Sequence, residues 1–126
     1  MEYTTLAAVD LGSNSFHLAV GRVVDDQIYP LDAIKETVRL GAGLGADRRL
    51  DDETQDRAIA ALRRFSERLA GMPRESVRVV GTNTLRVAKN ANEFLRAAQK
   101  TLGFPIEVIS GREEARLIYS GVVHSL

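Results

Sequence analysis

Cysteine is absent from this 126-residue chain, which excludes a disulfide scaffold, a thiol nucleophile and a thiolate metal site. Such usage fits a cytoplasmic protein. A charge bias is missing too: 17 Lys and Arg balance 17 Asp and Glu, so no broad field draws in nucleic acid or a membrane surface. Any anionic ligand must therefore be held by local geometry. No apolar run approaches the ~20 residues of a spanning helix, and the N-terminus lacks the basic-then-apolar pattern of an export signal. Both absences argue against membrane insertion. Repeats, low-complexity tracts and linkers are also lacking. What is present is globular in kind: 44% hydrophobic and 27% charged residues, enough for one domain with a real core.

The apolar run Leu6 to Val9 reads as a central strand covered on both faces. Phe16 to Val24 follows as a second strand, and Asp25-Asp26 turns the chain into a third, near Ile28 to Leu40. Pro30 lacks a backbone donor, which puts that third strand at a sheet edge. Short links between the three imply an antiparallel meander. The period then becomes helical: Ala58, Leu62, Phe65 and Leu69 share one stripe between Asp51 and Gly71. Asp51 or Asp52 can cap this helix and Gly71 can end it. A fourth strand spans Val77 to Val80. A helix from about Asn92 to Leu102 follows, with Phe94, Leu95, Ala98 and Leu102 inward and Gly103 as its stop. Ile106 to Ile109 is a fifth strand, and a last helix begins after Ser110. The order β-β-β-α-β-α-β-α describes an α/β fold with a mixed five-stranded sheet, in which strands separated by helices pair in parallel.

Four segments carry candidate chemistry. Between the first two strands, Asp10-Leu11-Gly12-Ser13-Asn14-Ser15 presents hydroxyls, an amide and backbone N–H groups at a turn, which suits a phosphate. Asp10 cannot hold phosphate directly but can hold a divalent cation or its waters beside one. The same residues equally suit an ordinary hairpin turn. Gly41-Ala42-Gly43-Leu44-Gly45 has its third glycine one residue too early for a dinucleotide fingerprint and reads as a flexible loop. Gly81-Thr82-Asn83-Thr84-Leu85-Arg86 follows the fourth strand, at the sheet end where ligands gather in open α/β folds. Thr82 and Asn83 can donate to phosphate oxygens and Arg86 can clamp one bidentately. The alternative is a short helix capped by Thr82 or Thr84, with Arg86 solvated. Finally, Ser110 and Glu113 have capping-box spacing. A helical projection puts Glu113 on the polar face and Glu114 beside the apolar arc of Ala115, Ile118 and Val122. Partial burial would raise the pKa of Glu114 toward that of a useful base, while the helix N-terminus pulls the other way. A glutamate satisfied by the helix dipole is the alternative reading. His17 and His124 have no partners at metal-ligand spacing and read as structural.

The combination of Ala7-Ala8-Val9-Asp10-Leu11-Gly12-Ser13-Asn14-Ser15-Phe16, Val38-Arg39-Leu40-Gly41, Gly81-Thr82-Asn83-Thr84-Leu85-Arg86 and Ile109-Ser110-Gly111-Arg112-Glu113-Glu114-Ala115-Arg116 resembles the exopolyphosphatase and guanosine pentaphosphate phosphohydrolase family. That family lies within the actin-like, sugar-kinase-like and Hsp70-like phosphotransferases. The resemblance implies a ribonuclease-H-like half-domain whose first loop, Gly12 to Ser15, contacts phosphate. It implies that Glu114 is the catalytic base, that Arg86 and its neighbours hold the phosphate chain, and that Asp10 lies near an essential magnesium. It further implies polyphosphate or guanosine pentaphosphate as substrate and a homodimer at full length. Family enzymes close a cleft between two such halves, the second bringing another glycine-rich phosphate loop and a further metal-associated acid. Neither occurs in these 126 residues, so the chain is expected to be the N-terminal lobe of a longer enzyme and inactive alone. A kinase or ATPase of the same superfamily, or a module that only senses polyphosphate or guanosine phosphates, are the alternatives.

Overall fold

The computed structural model describes residues 4–81 and 83–109, with Asn83 described by its backbone. Thr82, Glu114 and the expected last helix lie outside these residues. Within them, three strands run in succession: β1 (Thr4–Leu11), β2 (Ser15–Val24) and β3 (Gln27–Thr37). They form the expected antiparallel meander, with Leu11 opposite Phe16 and Asp10 opposite His17. Asp25 and Asp26 both take positive φ, 50° and 64°, the geometry that matches a two-residue turn to strand twist. β4 (Val77–Gly81) and the short β5 (Glu107–Val108) pair in parallel on the other side of β1, giving the order β3-β2-β1-β4-β5.

Pro30 does sit on an edge strand, and the β2–β3 register slips beside it: Val20 faces Asp32 but Gly21 faces Pro30. β3 also ends three residues before the expected Leu40. The N–H groups of Val38 and Arg39 leave the ladder and both donate to the Asn14 carbonyl, at 3.1 and 2.7 Å, and Arg39 turns left-handed at φ 57°. β5 is shorter than expected because the Ile106 N–H is taken by Gln99 Oε1 at 2.8 Å.

Two helices cover one face of the sheet. α1 (Asp52–Leu69) begins at Asp51, whose carboxylate accepts from the Thr54 N–H at 2.7 Å. It buries Ala58, Ala61, Leu62, Phe65 and Leu69, and Gly71 follows at φ 83°. A five-residue helix, α2 (Asn83–Val87), follows β4, and α3 (Ala91–Leu102) ends at the left-handed Gly103. Phe94, Ala98 and Leu102 are buried as the stripe implied, and Leu95 packs partly against them. Phe16 from β2, Phe65 from α1 and Phe94 from α3 fill the shared core with Leu11, Leu18 and Val79. Burying one such phenylalanine contributes about 1.5–3 kcal/mol. Ion pairs Arg64–Glu36 and Arg68–Asp32 fasten the outer side of α1 to β3.

This topology sets the location of any site. β3 runs antiparallel to β2, which runs antiparallel to β1, so β1, β3, β4 and β5 all end on the same side. Among the described residues, the segments after β1, β3 and β4 meet there, through Gly41 N–H to Ser13 O and the Ser13–Thr84 hydroxyl pair.

Candidate functional site

The turn after β1 is fixed from beneath. Its carbonyls point into the segment that follows β3: Gly41 N–H donates to Ser13 O at 2.8 Å, and Asn14 O takes the two bonds from Val38 and Arg39. Ser13 and Asn14 stand exposed at the tip, and among the described residues their N–H groups meet no acceptor. Two successive N–H groups without an acceptor, at an exposed turn, are available to an anion.

The other two residues of the loop play different parts. The Gly12 N–H already donates to Ser15 O at 3.2 Å, so it has no hydrogen for a phosphate oxygen. Gly12 instead serves shape, since a Cβ there would stand 3.0 Å from the Ser15 carbonyl oxygen. Ser15 is buried as the first residue of β2, with the Asn14 amide 3.5 Å from its hydroxyl. Ser13 and Asn14 are therefore the exposed residues of this loop.

The Gly41 to Gly45 segment is not a flexible loop. Gly41–Gly43 form a 3₁₀ turn, and a Cβ on Gly43 would fall 2.1 Å from Thr54 Oγ1, so the turn lies flush on the start of α1. From there to Leu50 the backbone is held at each end: Asp51 N–H donates to Gly43 O, and Lys89 N–H donates to Arg48 O at 2.7 Å. The buried Asn90 side chain takes Leu50 at both backbone groups, accepting its N–H at 2.8 Å and donating to its carbonyl at 3.0 Å. This brace escapes sequence reasoning. An asparagine before a helix signals a cap, and Asn90 does stand at the N-cap of α3, but its side chain makes no capping bond.

After β4, the backbone of residues 83–87 makes the short helix foreseen as the alternative for that segment. Arg86 is exposed on it, and among the described residues no hydrogen bond or ion pair holds its guanidinium. Thr84 is buried and bridges to the first loop, its Oγ1 lying 2.8 Å from Ser13 Oγ. Asp10 is half-buried near the end of β1, opposite His17 on one side and Val80 on the other. Among the described residues no group of three or more His, Asp or Glu side chains could hold a metal.

The structure thus brings Asp10, Gly12, Ser13, Asn14, Ser15, Asn83 and Arg86 to one end of the sheet, while Thr82 and Glu114 fall outside the described residues. Residues 19–126 match the Ppx/GppA phosphatase family. The chain belongs to that family. Among solved Ppx/GppA structures, an exopolyphosphatase-like protein is 36% identical with a TM-score of 0.80, over 93% of this chain and 36% of its own. An exopolyphosphatase from Cytophaga hutchinsonii is 30% identical with a TM-score of 0.82, over 94% of this chain and 38% of its own. The Aquifex aeolicus Ppx/GppA family member is 26% identical with a TM-score of 0.82, over 94% of this chain and 40% of its own. The shared architecture is the actin-like, ribonuclease-H-like α/β fold. The chain spans about two fifths of the length of these Ppx/GppA relatives. Among the described residues no helix is long and apolar enough to cross a membrane.

Proposed function

We propose that the chain is the first lobe of a two-lobed hydrolase that removes the terminal phosphate from inorganic polyphosphate or guanosine pentaphosphate. The observation that carries this reading is the tip of the first loop, where the N–H groups of Ser13 and Asn14 meet no acceptor among the described residues while their carbonyls are tied to the segment after β3. Such a loop holds its donors ready before a ligand arrives, so little ordering is needed on binding.

In this reading Ser13 and Asn14, helped by Thr82, Asn83 and Arg86, grip the oxygens of the terminal phosphoryl group. Glu114 takes a proton from a water molecule as the water oxygen bonds to the terminal phosphorus. The bond from that phosphorus to its bridging oxygen breaks in line, and the shortened chain leaves with the bridging oxygen. Arg86 and the loop donors stabilise charge on the equatorial oxygens. A half-buried Asp10 carboxylate, with substrate oxygens and water, is a donor set that fits magnesium, which prefers one or two carboxylates and keeps several waters. Magnesium bound there would neutralise charge on the leaving phosphate.

The same proposal includes a cytoplasmic location and a homodimer at full length, with the 126 residues alone inactive. Its test is Glu114→Gln in the full-length protein with labelled polyphosphate and magnesium. Turnover should fall about 10²–10⁴-fold with binding nearly unchanged. Undiminished turnover would remove Glu114 as the base, and label retained on an acceptor would make the protein a kinase.

A further inference from the structure

We propose that Thr84 is a positioning residue for phosphate binding, its hydroxyl orienting that of Ser13 so that Ser13 donates to the ligand. This rests on the phosphate-loop reading of residues 12–15. Ser13 Oγ and Thr84 Oγ1 are 2.8 Å apart, and either can be the donor. Each hydroxyl has one hydrogen to give and lone pairs to accept with. If Ser13 donates to Thr84, its hydrogen is spent and it faces a phosphate oxygen with lone pairs only. If Thr84 donates to Ser13, the Ser13 hydrogen is free to point outward.

The surroundings favour the second arrangement once an anion is present. Ser13 is exposed at the tip, whereas Thr84 is only 6% exposed, so Thr84 meets little solvent that could take its hydrogen. Among the described residues Ser13 Oγ is the acceptor within hydrogen-bond distance of it. A phosphate oxygen accepts and cannot donate, so the bound state runs from Thr84 to Ser13 to ligand, each bond polarising the next. Gly41 N–H meanwhile holds the Ser13 carbonyl at 2.8 Å, so the residue is fixed at both backbone and side chain. Thr84 is buried behind Ser13 and acts through it.

The test is a double-mutant cycle in the full-length protein, with inorganic tripolyphosphate affinity measured by calorimetry. Thr84→Val, similar in size, should weaken tripolyphosphate about five- to tenfold, the effect of one ordinary hydrogen bond. Thr84→Ser should restore the wild-type affinity. In a Ser13→Ala background, Thr84→Val should cost nothing further. Thermal midpoints check that each variant is folded, and Thr84→Ala replaces the valine in the same cycle should that variant fail to fold. An equal loss in both backgrounds, or no loss in either, overturns the inference. Tripolyphosphate binding by the wild type without phosphate release would sink the hydrolase reading and leave this one intact. A wild type that does not bind tripolyphosphate overturns the phosphate loop and the role of Thr84 together.

Discussion

The Asn90 side chain closes a two-bond clamp on the backbone of Leu50, forty positions earlier, and both groups are buried. The clamp ties the start of α3 to the segment that supports the first loop. Asn90→Ala leaves the buried Leu50 N–H without its partner, at a cost of about 1–3 kcal/mol, while the Leu50 carbonyl keeps the bond from Gln55 Nε2 at 3.0 Å. Chemical denaturation should show a loss of about 1–3 kcal/mol, and hydrogen exchange should speed up at Leu50. A loss below ~0.5 kcal/mol would mean that water replaces the clamp.

Arg86 should matter to ligand and not to folding. It is exposed and holds no other described residue, so Arg86→Ala should leave the thermal midpoint unchanged. Polyphosphate binding should weaken at least tenfold, the low end for a charge-assisted bond. Arg86→Lys should recover only part of it, because an ammonium cannot bind two oxygens in the guanidinium fork. Full recovery would reduce Arg86 to a point charge.

Asp10 gives a metal-specific prediction. In the full-length protein Asp10→Asn should raise the magnesium concentration needed for half-maximal phosphate release by about tenfold or more, as expected when a hard cation loses an anionic ligand. An unchanged magnesium titration would place the cation elsewhere.

Among the described residues, Glu36 and the capping Asp51 both have lowered carboxyl pKa values and so contribute acid sensitivity. Two hydrogen bonds from Arg64, at 2.7 and 2.8 Å, hold the Glu36 carboxyl below its ordinary value of 4.5. Because the folded pKa is the lower one, the stabilisation is complete above pH 4.5 and is lost as pH falls through the depressed folded value. Arg64 is raised by the same pair, so both partners report one attraction. The pair is partly solvated, which limits it to about 1 kcal/mol or less. Glu36→Gln should flatten the fall in stability between about pH 5 and 3. Identical acid profiles for the variant and the wild type would show that the pair adds nothing.

What could be read in advance follows from the range of the forces involved. The buried stripe of α1 and the stops at Gly71 and Gly103 depend on residues three or four apart or on one residue's φ, so they are written locally. So is the edge position of Pro30. The brace from residue 38 to residue 50 is not, because its bonds reach Asn14, Ser13 and Asn90 from far along the chain. Its glycines therefore suggested slack, whereas Gly43 marks a close approach to Thr54. β3 stops early for the same kind of reason, since the Asn14 carbonyl outcompetes the ladder for Val38 and Arg39. In the site, Ser13, Asn14 and Arg86 were legible as residue types with suitable chemistry. The engagement of the Gly12 N–H and the burial of Ser15 and Thr84 needed three-dimensional neighbours.

The shifted register at Pro30 has a bearing on solubility. Among the described residues, the two large apolar side chains most open to water, Tyr29 and Leu31, each 49% exposed, flank that proline on the outermost strand. A sheet edge with such side chains invites another chain to add a strand and begin an aggregate. Here the incoming strand would find no donor at position 30 and a ladder out of step beyond it. Imino-acid chemistry thus guards an eleven-residue border that its own side chains would leave adhesive.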